Sequence, residues 1–137
     1  MESLKTFEDL KCWQACRDLK AFVRTKVIPS LPKDERFRLA DQITRAARST
    51  TANIAEGYGR FHYLDNAKFC SNARGSCWEV LDHLITAQEE GYITGSDLDL
   101  GRDVVNSAVK ILNGYIRYLQ NTAKSPSSSE TQSSDNR

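Results

Sequence analysis

Histidine and proline are scarce in this 137-residue chain, at two and three, and glycine occurs only seven times. No apolar run approaches the roughly 18 residues of a membrane-spanning helix, so no membrane crossing is expected. The opening MESLKTFEDLK carries acidic side chains where a secretory leader would be apolar, which argues against export. Nineteen Lys+Arg against eighteen Asp+Glu leave a net charge of only +1, which excludes a strongly basic nucleic-acid clamp. A Gly-rich phosphate loop, GxSxG and HExxH are all missing. Neither His62 nor His83 has a cysteine or second histidine at ligand spacing. The usual catalytic constellations are therefore absent, and the expectation is no enzyme, no cofactor and no metal. At 39% hydrophobic and 27% charged, the chain is still apolar enough to fold, and its length suits one domain. A small, soluble, cytoplasmic protein is expected.

What the sequence does have is helical periodicity between a few breaks: Pro29–Pro32, Gly57–Gly59 and Gly91–Gly95. Four helices follow. The first spans about 7–27, with Thr6 and Asp9 as a capping pair and Cys12, Ala15, Cys16, Leu19, Phe22 and Val23 on one face. The second spans about 33–58. Asp34 and Glu35 lie at its positive end, Gly57 or Gly59 supplies a left-handed stop, and Leu39, Ala40, Ile43, Ala46, Ala47, Thr50 and Ile54 form its apolar face. So many small residues there imply a close neighbour. The third, about 63–90, gathers Phe69, Cys70, Ala73, Cys77, Val80, Leu81, Leu84 and Ala87, with Gly91 just past its end. The fourth begins near Ser96, with Asp99 as capping partner, and its stripe is Val104, Val105, Ala108, Ile111, Leu112, Tyr115 and Leu119. Short connections favour an all-α, antiparallel up-down-up-down four-helix bundle over residues 1–123. Residues 124–137, rich in Ser, Asp, Asn, Gln and Thr, read as a disordered polar tail.

Cys12, Cys16, Cys70 and Cys77 are spaced i,i+4 and i,i+7 on the apolar stripes, which favours buried reduced thiols over a zinc site built across two helices. Two polar rows are more distinctive. Gln42, Arg45, Ser49, Asn53, Glu56 and Arg60 fall within about 80° of arc beside the apolar face of helix two. Asn72, Ser76, Glu79 and His83 form a similar row on helix three. Such rows suit a hydrogen-bonded network between helices, a subunit contact, or a grip on a phosphate. Glu56 sits at the negative end of its helix and calls for a cationic partner, either Arg74 or an arginine of a neighbouring subunit. Charge is also uneven: residues 1–60 hold twelve Lys+Arg and eight Asp+Glu, whereas residues 61–123 hold five and eight. That asymmetry fits either ordinary solvated faces or a dipolar surface for head-to-tail contact.

The segment DQITRAARSTTANIAEGYGR, followed by ARGSCWEVLDHL and EEGYIT, resembles the small bacterial four-helix-bundle proteins encoded in 23S rRNA intervening sequences. The opening Phe7, Leu10 and Trp13-Gln14 fits the same pattern, so the resemblance covers about residues 7–120. It implies an all-helical bundle that assembles as a ring, typically a pentamer. It also implies kinship with the accessory variability determinant of diversity-generating retroelements, a basic pentamer that binds nucleic acid and a reverse transcriptase. The family positions are Gln42, Arg45, Ser49, Asn53, Glu56, Gly57, Arg60, Gly75, Ser76 and Glu79. The chain departs from the pattern at Phe61-His62-Tyr63, where a Ser or Thr cap is usual, and in its near-neutral charge.

Two functions compete. One is a non-catalytic homo-oligomeric scaffold or adaptor, with Trp13, Trp78, Val109 and Ile116 at the stripe edges as subunit contacts. The other is an accessory protein that meets structured RNA, or DNA, through an outward basic belt of Lys11, Lys20, Arg24, Arg38, Arg45 and Arg48. An enzyme working through Glu56, Glu79 and His83 is the minority reading.

Overall fold

The computed structural model describes residues 5–124 and contains four long helices: α1 (Lys11–Phe22), α2 (Leu39–Tyr58), α3 (Tyr63–Glu89) and α4 (Gly95–Lys124). Each packs against its neighbours in sequence, and α4 closes the bundle against α1. No strand occurs among the described residues. The expected tail lies, beyond Lys124, outside the described residues; Lys124 itself is the last residue of α4. The core is the expected one in kind. Cys12, Cys16, Leu19, Ile43, Ile54, Cys70, Cys77, Val80, Leu84, Leu112 and Leu119 are all essentially inaccessible.

Helix one is shorter than its periodicity suggested. Thr6 and Asp9 do form a capping box, but it closes a 3-10 turn at Phe7–Asp9, and Leu10 then leaves the helical region before α1 begins. A wide π turn at Val23–Val27 follows α1, keeping Val23 and Val27 in the core. Pro29 has no N–H to continue the ladder, and the chain turns away.

Helix two begins at Leu39 rather than at Lys33. Residues 33–38 close i→i−3 bonds, from Glu35 to Pro32, Arg36 to Lys33 and Arg38 to Glu35 at 3.0–3.1 Å, and these three-residue turns cannot merge into the α ladder. Glu35 still serves the helix end, because its carboxylate accepts the Leu39 N–H at 3.3 Å. It also accepts the Tyr92 hydroxyl at 2.8 Å, tying the α1–α2 connection to the α3–α4 connection. Tyr92 is aimed there by the end of α3. Gly91 takes φ +81°, Gly91 N–H meets Gln88 O at 3.0 Å, and Tyr92 N–H meets Ala87 O at 2.8 Å, a Schellman closure.

Neither Gly57 nor Gly59 is left-handed; among the described residues only Gly91 has a positive φ. Gly57 lies inside α2 because a Cβ there would stand 2.6 Å from Asn66 Oδ1 and 2.9 Å from Phe69 Cβ. The α3 start has no side-chain cap at His62, and buried Tyr63 occupies its first position instead. At α4 the cap is Thr94, whose Oγ1 accepts the Asp97 N–H at 3.0 Å, two residues earlier than the Ser96–Asp99 pairing expected. The α4 stripe is also rotated. Gly101 presses on Leu84 and Phe22, with no room for a Cβ. That contact turns Val109 and Ile116 inward, each 6% exposed, and leaves Ile111 outside at 37%.

Two outcomes follow. Gly57→Ala should destabilise the fold by about 1–3 kcal/mol through overpacking, more than the ~1 kcal/mol of helix propensity that alanine returns. Gly75→Ala, where a Cβ meets nothing within 4 Å, should leave the isolated bundle equal or more stable in the same urea titration. The Glu35–Tyr92 bond sets a pH window. It holds the Glu35 carboxyl below its usual range, with the Leu39 N–H assisting, and raises the Tyr92 phenol to about 12. A lowered acid contributes stability above its ordinary pKa and loses it as pH falls; a raised phenol contributes below about 10 and loses it as pH climbs toward its folded value. The urea midpoint of Tyr92→Phe should therefore differ most from the parent between about pH 5 and 10, and the two should converge as pH falls below the ordinary carboxylate range or climbs toward about 12.

Candidate functional site

The two polar rows meet along the α2–α3 seam. Ser49 Oγ and Ser76 Oγ lie 2.8 Å apart, and the Asn53 amide donates to both Ser49 O and Ser49 Oγ at 2.9 Å. Gln42, Arg45, Ser49 and Glu79 line an open groove of about 320 Å³ just above this contact. Alanines and serines at Ala46, Ser49 and Ser76 keep the helices close enough for short hydroxyls to touch. His83 lies 3.4 Å from Glu79, one turn along α3. Asn72 does not join this row: it lines the groove on the far side of α3, against α4.

At the lower end of the seam, Glu56 pairs with Arg60 at 3.1 Å. The same guanidinium lies 4.7 Å over the Phe69 ring of α3, so the pair bridges the two helices while staying about half exposed. Arg74 is not its partner. On the opposite flank of α3, Arg74 donates to Asn113 Oδ1 of α4 at 2.7 Å and to Ser71 Oγ at 3.2 Å. Arg74 faces α4, which presents an amide there. Gly75 faces open space on the outside of α3.

Sequence reasoning missed Asn66. It is fully buried, it donates to the Tyr115 hydroxyl at 3.2 Å, and it accepts from Cys70 Sγ at 3.4 Å. An asparagine in the first turn of a helix reads as a solvent residue, and only Gly57, which opens room beside it, hinted otherwise. The four cysteines are buried and unoxidised. Burial pushes the Cys12 thiol up, and the 3.8 Å contact with Cys16, together with burial, does the same to Cys77. No group of three or more His, Cys, Asp or Glu is placed to hold a metal among the described residues.

The basic residues divide. Lys11, Arg24, Arg38, Arg45 and Arg48 are exposed. Lys20, expected to face outward, is turned to α2, where its ammonium donates to Thr51 Oγ1 at 3.1 Å. Arg45 pairs with Asp41 at 3.6 Å. Arg48, one turn before Thr51, therefore lies toward the α1 side, and Arg45 toward α3.

The seam predicts unequal responses. Ser49→Ala removes the hydroxyl's bonds to Ser76 and to the Asn53 amide, leaves that amide its bond to Ser49 O, and should lower stability by about 1 kcal/mol. Glu56→Ala breaks a half-exposed pair and should change stability by less than about 1 kcal/mol, well short of the loss that a buried pair would bring. Thermal and urea melts of both variants check this.

Residues 8–114 match the sequence model described as 23S rRNA-intervening sequence protein, which covers all four helices up to the last third of α4. Among curated proteins, none matches this chain. Of the positions quoted for the resemblance, Ser49 meets Ser76 and Gly57 meets Asn66 across the α2–α3 seam, Asn53 and Glu56 bond locally to Ser49 and Arg60, and Gly75 faces open space. The chain belongs to the 23S rRNA-intervening sequence protein family.

Proposed function

We propose that the protein is a non-catalytic scaffold that works as a closed homo-oligomer, with the pentamer of the resembled proteins as the expected size. The supporting observation is a surface stripe on α4. Leu100 is 52% and Ile111 37% exposed, and they recur with Val104, Ser107 and Gly114 at alternating steps of four and three along one outer face. Gly114 has open space at its Cβ position, which leaves room for another backbone. A ring needs two unlike surfaces, and α3 supplies the second with Trp78, 45% exposed, beside open Gly75. Of the edge residues read from sequence, Trp78 is the one with a large exposed apolar surface. Val109 and Ile116 are in the core, and Trp13 packs on Phe7 with ring centroids 5.4 Å apart.

A second reading is contact with structured RNA or DNA through the exposed cations of α1 and α2, with a reverse transcriptase as the protein partner that the resemblance suggests. Its support is the exposure of Lys11, Arg24, Arg38 and Arg48 on a bundle half that is net basic.

Light scattering should return a mass several times 15.5 kDa at micromolar concentration. Ile111→Glu, which adds a charge to an already solvated position, should reduce that mass toward the monomer while keeping the helical circular dichroism. A parent mass near 15.5 kDa would end the scaffold reading.

A further inference from the structure

A second groove, of about 680 Å³, runs between the first half of α3 and the last third of α4. Its cationic lining is Lys68, Arg74 and Arg117. Neutral hydrogen-bonding groups of Ser71, Asn72, Asn113 and Gln120 lie among them, and Leu64, Ala67 and Ile116 form an apolar wall. No carboxylate lines it. That sorting is against the local composition, because residues 61–123 hold only five Lys+Arg and eight Asp+Glu. Three of the five cations meet in one place from which all eight acids are excluded.

The cations there are not neutralised by the fold. Arg74 is held by neutral partners, Asn113 and Ser71, which fix its guanidinium while leaving its charge uncompensated. Neither Lys68 nor Arg117 has an ion-pair partner among the described residues. Arg102, by contrast, is paired with Asp99 at 3.0 Å. Concave, donor-rich and without an acid, the groove has the chemistry that recognises phosphate oxygens, to which guanidinium groups bind in a forked geometry.

We propose that this groove binds a small phosphorylated metabolite bearing two or three linked phosphates, of nucleoside di- or triphosphate size. The volume suits such a ligand. Three positive charges within one groove match a polyphosphate, and the apolar wall at Leu64 and Ile116 offers a surface for the rest of the molecule. A long polyanion fits less well, since outside the groove this half of the chain is acidic. The site is separate from the α4 stripe, which lies on another face of that helix, and it uses none of the cations of α1 and α2.

Calorimetric titration of the full chain at low salt tests the assignment with four probes: adenosine triphosphate, tripolyphosphate, adenosine and a short RNA duplex. Adenosine triphosphate and tripolyphosphate should bind, more weakly as salt is raised, and adenosine alone should not. The double variant Lys68→Gln/Arg117→Gln, which alters exposed side chains only, should weaken binding by at least about tenfold with an unchanged melting temperature. Arg74→Lys, which keeps the charge but loses the fork, should weaken it too. Absence of binding by both phosphate probes, or equal binding by the double variant, would overturn the proposal. So would duplex binding lost in that variant while both small probes fail, because it would make the groove a nucleic-acid surface.

Discussion

The close approach of α2 to α3 at Gly57 governs much of the rest of the bundle. With no side chain at Gly57, Asn66 can be buried against the backbone of α2 instead of facing solvent. A buried amide must satisfy its polar atoms, and Asn66 does so through Cys70 on its own helix and Tyr115 on α4. One missing Cβ thus sets the spacing of α2 and α3 and helps fix α4 beside them. Farther up the seam the same closeness lets two serine hydroxyls meet, and at its foot it places Arg60 over Phe69. Ser49, Ser76 and Gly57, three of the positions quoted for the resemblance, therefore have a mechanical account in this chain: they set how α2 lies against α3.

The outer faces differ in kind. On α4 an apolar stripe lies open beside small residues, whereas between α3 and α4 a groove concentrates cations without acids. On α1 and α2 exposed cations are spread out and partly engaged, Arg45 with Asp41 and Lys20 with Thr51. Local charge sorting, more than the net charge of +1, distinguishes these surfaces.

Much of the fold was legible in the sequence, since a 3.6-residue period with few breaks leaves little besides a helical bundle. The buried faces of α1 and of most of α2 and α3 follow from that period, whereas the first turns of α3, with Tyr63, Asn66 and Ala67 buried, do not. The rotation of α4 did not, because whether Val109 or Ile111 turns inward depends on the contact of Gly101 with Leu84 and Phe22, residues from two other helices. The start of α2 was misread because 3-10 turns at Lys33–Glu35 carry the same composition as a helix N-terminus. In the site, the Ser49–Ser76 row could be read from spacing, but the direction of Arg74 could not, since the choice between Glu56 and Asn113 belongs to tertiary packing. The α3–α4 groove was invisible for the same reason: Lys68, Arg74 and Arg117 are 49 positions apart end to end and share no motif.

If the α2–α3 seam is the part on which the other helices depend, its amides should open last. Native-state hydrogen exchange, followed residue by residue, measures this directly. The account predicts that core amides of α2 around Ile43–Ile54 and of α3 around Cys70–Leu84 exchange only by global unfolding. Amides of the short α1 and its wide turn at Val23–Val27 should open earlier, at lower free energy. Slowest exchange in α1, with α2 and α3 opening first, would contradict it.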